Sequence, residues 1–335
     1  MAVWKSIVTV VGLSLACAGP GLVSAAPETS KRSAKPVKVA RVVKSAGRPK
    51  VLVKAQKVSS RKLAARQMAR ELDDTVVGGN LALRSSAALV LDQRSGEVLY
   101  EKNAVDVVPI ASITKLMTAM VVLDAALELD QTLTISDDDV DRVKGSHSRL
   151  RVGSQLTREH AMLLALMSSE NRAAHALGRN YPGGLPAFVE AMNRKAESLG
   201  MTRSKFVDPT GLSSANVSTA KDLSAMVAAA HTYPVIRELS TTPEAYVDTG
   251  GRRPVGYSNT NALVKGGKWE IGLSKTGYIS EAGKCLVMQA WVAGRPTVMV
   301  LLDSNGRMTR IGDANRVKRW METSGTLAAR STPRA

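Results

Sequence analysis

Across residues 112–123 the chain places Ile113, Leu116, Met117, Ala119, Met120, Val121, Val122 and Leu123, so a helix through this stretch is apolar on nearly every face. Such a helix has no side to offer water, and the pattern predicts a core helix rather than an amphipathic surface one. The surroundings supply what could enclose it. A hairpin is expected first, with apolar 87–91, the turn residues Asp92-Gln93-Arg94-Ser95-Gly96, and a return over 97–100. Helical patterns come next near 157–167, 171–179, 186–199 and 219–231, then strands at 269–276, 285–293 and 297–302, and a closing helix around 311–322. Strands at both ends around a helical middle predict an α/β domain with one sheet.

Charge separates this domain from the N-terminal stretch. The chain has 335 residues, 44% of them hydrophobic, enough for a sizeable core and too many for wholesale disorder or a fibrous repeat. Its formal charge of +17 would suggest a polyanionic partner if the folded part carried it. It does not: residues 27–70 hold fourteen Lys or Arg against the one acid Glu28, and with Lys5 counted only +3 remains for 71–335. Residues 26–75 also lack aromatics and are broken by Pro27, Pro36 and Pro49, so they are expected to form a disordered basic arm, with a short helix allowed from Arg61 to Arg66. Without stacking residues the arm is no single-strand binder, and no nucleic acid partner is expected. Electrostatic attachment to another polyanion and a plain solvated linker both remain open for it.

Residues 1–25 combine an early charge (Lys5), an apolar run over 7–18, a Gly-Pro-Gly break and the small-residue ending Val23-Ser24-Ala25. That order predicts a secretory signal peptide cleaved after Ala25, and the apolar run is short for a retained membrane anchor. Lipid attachment through Cys17 is disfavoured by Ser14, which stands where an aliphatic residue is wanted. Once Cys17 leaves, Cys285 is alone in the apolar run 285–288 and reads as a core thiol. No disulfide then staples the fold.

Three kinds of motif carry chemistry. Ser-x-x-Lys occurs as Ser59/Lys62 in the arm, as Ser218/Lys221 and as Ser112/Lys115. Ser218 is expected to be the N-cap of the helix after it, with Lys221 in solvent. Ser112/Lys115 opens the buried helix: residues three apart share a face, so the ammonium reaches the hydroxyl. Burial there disfavours the charged lysine and prepares it to act as a base toward serine. The orphan amides of a helix start can hold an oxyanion. Ser-x-Asn occurs as Ser169-Glu170-Asn171, in a turn between two helices, and as Ser214-Ala215-Asn216, in a loop by composition. In the first, the hydroxyl can pass a proton and the amide can hold a substrate carbonyl. Lys275-Thr276-Gly277 is the one Lys-Ser/Thr-Gly of the chain and is expected to end its strand. Its lysine offers positive charge, and a second ammonium beside Lys115 would push that lysine further toward its neutral form. Its glycine is expected to let a substrate backbone lie against the strand edge.

Ser-x-x-Lys, a serine/asparagine triplet and Lys-Thr-Gly in this order are the signature of penicillin-binding proteins and class A β-lactamases. The runs Pro109-Ile110-Ala111-Ser112-Ile113-Thr114-Lys115-Leu116-Met117-Thr118-Ala119, Leu166-Met167-Ser168-Ser169-Glu170-Asn171-Arg172-Ala173-Ala174 and Ser274-Lys275-Thr276-Gly277-Tyr278 closely resemble the low-molecular-mass D-alanyl-D-alanine endopeptidases of Gram-negative bacteria. The resemblance covers about 76–325. It implies a β-lactamase/transpeptidase-like fold: a central antiparallel sheet flanked by helices, with a helical subdomain. It further implies Ser112 as acylated nucleophile, Lys115 as its base, Ser169 as proton relay to the leaving amine and Asn171 as a binder of substrate amide. Lys275 would complete the electrostatics, Thr276 would meet the end of the substrate, and the amides of Ser112 and Tyr278 would form an oxyanion hole. The reaction implied is hydrolysis of the D-alanyl-diaminopimelyl crosslink of peptidoglycan through an acyl-enzyme, with β-lactam antibiotics as a second class of ligand and no cofactor. The expected signal peptide implies a periplasmic location, free or membrane-associated, and for the arm, which lies outside the resemblance, electrostatic contact with wall or membrane stays open beside a plain linker.

The related D-alanyl-D-alanine carboxypeptidases share all three motifs. They carry a second β-rich domain and a C-terminal anchor, whereas about sixty residues come after Lys275 here and 326–335 reads as a polar tail, which favours the endopeptidase. A β-lactamase needs a glutamate that activates the deacylating water, and Glu190 in Glu190-Ala191-Met192-Asn193 has the wrong spacing and reads as a surface residue. A non-catalytic wall-binding protein would make Ser112 dispensable. The four histidines (His147, His160, His175, His231) form no metal-ligand spacing. Asp137-Asp138-Asp139 with Asp141 lacks the glycine loop of a calcium site and reads as a solvated loop or helix cap.

Overall fold

Apolar residues that alternate without a polar face build the frame. In the computed structural model, which describes residues 81–306 and 308–331 (side chains to 323), strand β1 (Ser85–Asp92) sends Ala87 and Leu89 to one side and Ala88 and Val90 to the other, all buried. The expected leader and basic arm lie outside the described residues. β1 turns back through Asp92, whose Oδ1 accepts from the Arg94 and Ser95 amides, into β2 (Val98–Lys102). The remaining strands are β3 (Glu270–Ile279), β4 (Gly283–Val292) and β5 (Arg295–Ser304). They form one antiparallel sheet in the order β2-β1-β5-β4-β3, with Leu89 opposite Val300 and Lys275 opposite Val287. β3, which carries Lys275, is an edge strand.

Helices cover both faces. They are α1 (Thr114–Asp124), α2 (Arg158–Met167), α3 (Asn171–Arg179), α4 (Gly184–Ser198), α5 (Ala220–Ala230), α6 (Pro234–Thr241), α7 (Ala262–Lys265) and α8 (Thr309–Ser331). Leu89, Val287 and Val300 face the core shared by α1 to α6, while Val90, Met288 and Leu301 face Ala314, Val317 and Met321 of α8. Nine of the eleven residues of α1 are buried, as its uniform apolarity requires. Truncating Leu116 or Met120 to alanine there would cost about 2–5 kcal/mol through the cavity left.

Several expectations need correction. The 112–123 helix starts as a 3-10 turn, Ala111–Ile113, before α1 begins. Strand β3 runs on to Ile279, so Lys275-Thr276-Gly277 lies inside the strand and not at its end. Thr219, not Ser218, caps α5, because its hydroxyl accepts from the Asp222 amide while the Ser218 hydroxyl pairs with Ser204. The closing helix continues past 322 to Ser331, so the expected polar tail begins within it. Helices α6 and α7 and the short ribbons Thr132–Thr134 with Gln155–Thr157 and Glu244–Val247 with Val255–Ser258 had no clear signal, being too short for a period to show.

Candidate active site

The turn that carries Ser112 is held in an uncommon conformation. Ala111, just before it, has φ +48°, and two glycines press against this turn. A Cβ on Gly211 would lie 1.9 Å from the Ala111 carbonyl oxygen, and one on Gly277 of β3 would lie 3.1 Å from the Ser112 amide nitrogen. At Gly277 the missing side chain lets β3 itself approach Ser112. A non-glycine residue at positive φ is costly and persists only where its surroundings over-determine it. Here Ile110 donates its amide to the Asn216 carbonyl, and Val108–Pro109 pairs with Val217–Ser218.

One turn on, Lys115 is fully buried with half-buried Ser112 above it. Its Nζ donates to Ser112 Oγ at 2.8 Å, Asn171 Oδ1 at 2.7 Å and the Thr210 carbonyl at 2.6 Å. Burial brings this lysine down to about 7, against the opposing pull of the Asp208, Glu170 and Asp141 carboxylates. None of the three accepting groups is charged. A neutral amine has two N–H groups for Asn171 and Thr210, which leaves its lone pair for the Ser112 hydroxyl. The Asn171 amide is oriented from its other end, with Nδ2 donating to Ser146 Oγ at 2.9 Å.

The other expected residues fall into place less uniformly. Ser169 sits in the turn between α2 and α3 at φ +62°, and its hydroxyl makes no hydrogen bond among the described residues. Lys275 is 1% exposed and donates to the Thr276 carbonyl at 2.8 Å. Burial drives its pKa well down, helped by the nearby charges of Lys115 and Arg310. The hydroxyls of Thr276 and Thr260 are 2.6 Å apart, and Arg310 donates to the Gly277 carbonyl at 3.2 Å. The Tyr278 ring is 60% exposed, with the Lys284 ammonium 4.4 Å above it.

Sequence reasoning missed the 208–216 loop as part of this arrangement. Asp208 accepts from the amides of Thr210, Gly211 and Ser213, which aims the Thr210 carbonyl at Lys115. Asn216, expected to do turn chemistry, is fully buried and bridges the Asp208 carbonyl and the Thr114 hydroxyl. Asp208-Pro209-Thr210-Gly211 has the composition of a turn, and nothing local announces that it will meet α1. Beside the site lies a cavity of about 550 Å³ reached by Asn171, Thr210 and Leu212. One wall carries the run 137–141, where Asp137 and Asp138 are exposed and Asp139 caps the short helix from Ser136, in line with a solvated loop or helix cap; Asp139 is in addition buried and paired with His175 and Arg179. Glu190 is exposed, as expected, and Cys285 is buried, its thiol pushed up to about 11 by burial.

Comparison with known proteins converges on one family. Residues 74–306, which hold Ser112, Lys115, Ser169, Asn171 and Lys275, match the family described as D-alanyl-D-alanine carboxypeptidase. The chain belongs to that family. It is a serine hydrolase of the penicillin-binding kind. It is 51% identical over 256 residues to a D-alanyl-D-alanine endopeptidase of Pseudomonas aeruginosa, covering 76% of this chain and 82% of that one. It is 46% identical to one of Escherichia coli, covering 73% and 79%. The crystal structure of a Streptomyces DD-transpeptidase superposes with a TM-score of 0.67 at 28% identity, covering 72% of this chain and 98% of that one. The family's antiparallel sheet and helical layers are those described above. Among the described residues no helix is long and apolar enough to cross a membrane.

Proposed function

We propose that this peptidase is a DD-endopeptidase that hydrolyses D-alanyl-diaminopimelyl crosslinks between peptidoglycan stem peptides, through an acyl-enzyme on Ser112. The observation that carries the reading is the buried Lys115, bonded to Ser112 and to two neutral acceptors. The printed names of the Pseudomonas and Escherichia relatives support the endopeptidase assignment.

In the first half-reaction the neutral Lys115 amine takes the Ser112 proton while Oγ attacks the D-alanyl carbonyl carbon. The oxyanion is held by the amides of Ser112 and Tyr278, whose strand is brought up to the Ser112 turn by the bare Cα of Gly277. Collapse breaks the C–N bond. The Ser169 hydroxyl passes a proton to the leaving nitrogen and is resupplied from Lys115, so the released stem departs as a neutral amine. Asn171 binds the substrate amide, Lys275 adds positive potential, and Thr276 meets the end of the substrate. Water then attacks the acyl carbon, with Lys115 again taking its proton, and Ser112 leaves reprotonated. A β-lactam acylates Ser112 by the same first step. The reaction needs no cofactor, and the expected signal peptide places it in the periplasm, with the basic arm as a tether to wall or membrane.

The family's description favours one second reading, removal of terminal D-alanine by carboxypeptidase action. The test incubates the chain and its Ser112→Ala variant with crosslinked muropeptide dimers and pentapeptide monomers and weighs the products. Conversion of dimers to monomers, lost in the variant, is expected. Free D-alanine as the main product would replace endopeptidase by carboxypeptidase. No turnover by the parent chain would favour a wall-binding protein.

A further inference from the structure

A second cleft, of about 680 Å³, opens between the loop around 148–154 and the loop around 249–255. Four arginines line it, Arg149, Arg151, Arg252 and Arg253, and no carboxylate does. Gly153 and Gly250 keep the floor free of side chains. All four arginines are exposed, and none is in an ion pair among the described residues. Arg149 is nevertheless fixed: it donates to the Gly256 carbonyl and its guanidinium stands over the Tyr257 ring, 4.1 Å from the ring centre. Glu170 is buried within the field of Arg149 and Arg172, which leaves Arg151, Arg252 and Arg253 without an acidic partner. Asp248, next along the chain, accepts from the Gly250 amide within its own turn.

The cleft is tied to the catalytic turn. Ser146 accepts from Asn171, Leu150 accepts from Arg172 at 2.7 Å, and Arg149 and Arg151 stand on that same loop. Residues 71–335 carry a net charge of only +3, so four guanidinium groups around one hollow, three of them without an acidic partner, are a local concentration and not general basicity. Like charges held together repel unless an anion enters, and guanidinium forks match carboxylates with paired hydrogen bonds.

We propose that this cleft is a carboxylate-binding subsite that holds the acidic part of the peptide stem while its bond lies at Ser112. The proposal rests on the peptidase reading above. The diaminopimelyl residue keeps a carboxylate that takes no part in the crosslink, and that group, with the other free carboxylates of the stem, is the ligand the arginines fit.

Binding without turnover separates the two ideas. The probe is a crosslinked muropeptide dimer, titrated calorimetrically into the Ser112→Ala chain and into the same chain with Arg252→Glu and Arg253→Glu added. About tenfold weaker binding after charge reversal is expected, shrinking as salt is raised. A dimer whose diaminopimelyl carboxylate is amidated should bind both proteins equally weakly. With Ser112 restored, the Arg252→Glu/Arg253→Glu chain should be acylated by penicillin at the parent rate, which shows it is folded. Equal affinity of the acidic dimer for both Ser112→Ala proteins would overturn the subsite. So would loss of binding to anionic vesicles with none to the dimer, which would assign the cleft to a membrane surface. Failure of the peptidase reading shows separately, as absence of turnover by the parent chain.

Discussion

Helix α3 touches two buried charged groups, and both have a lowered pKa for opposite reasons. Lys115, bonded to Asn171 at the start of α3, falls to about 7 because burial disfavours its charge and its contacts are neutral. For Asp139, burial alone would raise the carboxyl. Hydrogen bonds from His175 and Arg179 of α3 and from the Ser136 amide, with the Arg179 charge, instead hold it down at about 2. One site penalises its ion and the other surrounds it. A buried charge with full counter-charge is part of the scaffold, whereas one offered only neutral acceptors can release its proton where chemistry needs it.

The contrast is tested hardest at Lys115. Lys115→Met should lower the rate of acylation by penicillin about a thousandfold or more, while the melting temperature holds or rises, since a buried ion without a partner gives way to an apolar chain. A fall in both would mean that Lys115 is structural. Asp139→Asn should do the reverse, costing about 3 kcal/mol by stranding Arg179 while acylation persists; denaturant unfolding and penicillin labelling of the same samples read both.

A pH titration separates the two sites further. Acylation should rise with pH through about 7 as Lys115 becomes neutral, then level off; a flat profile would exclude the lysine as base. Stability follows each group in its own window. The folded pKa of Asp139 lies below its unfolded value, so its contribution is complete above about pH 4 and is lost as pH falls toward 2. The folded pKa of Lys115 also lies below its unfolded value of 10.5, so the cost of burying it is full below about 7 and fades as pH rises toward 10.5.

Gly277→Ala should slow acylation about tenfold with a small change in stability, because its Cβ would meet the Ile110 carbonyl at 3.0 Å and the Ser112 amide at 3.1 Å. The smallest effect belongs to Lys221→Ala. This lysine completes a Ser-x-x-Lys tetrad but is exposed, so stability should change by no more than about 0.5 kcal/mol and acylation not at all.

Gly277 and Lys221 mark how far the chain could be read before its structure. The tetrads 112–115 and 218–221 differ in sequence mainly by the apolarity of the residues on their C-terminal side, and that separated a buried lysine from an exposed one. Helices α2 to α5 were legible because each is long enough to repeat a pattern. The edge strand's true end was not, because Tyr278 and Ile279 continue β3 only through pairing with Lys284 and Gly283. The capping role of Asp139 was within the reading of its run as a solvated loop or helix cap, but its burial was not legible, because its partners His175 and Arg179 lie some forty positions away.

Contacts between neighbours on one helix are written directly in the order of residues. Uniform apolarity buries α1, and a spacing of three brings the Lys115 amine within reach of the Ser112 hydroxyl. The rest of that lysine's surroundings was settled by tertiary packing alone. The Asn171 amide comes from 56 positions along the chain, the Thr210 carbonyl from 95, and Gly277 arrives on the far edge of a sheet. Such approaches are set by how helices and strands pack, and no local pattern encodes that every hydrogen-bond acceptor of Lys115 is neutral.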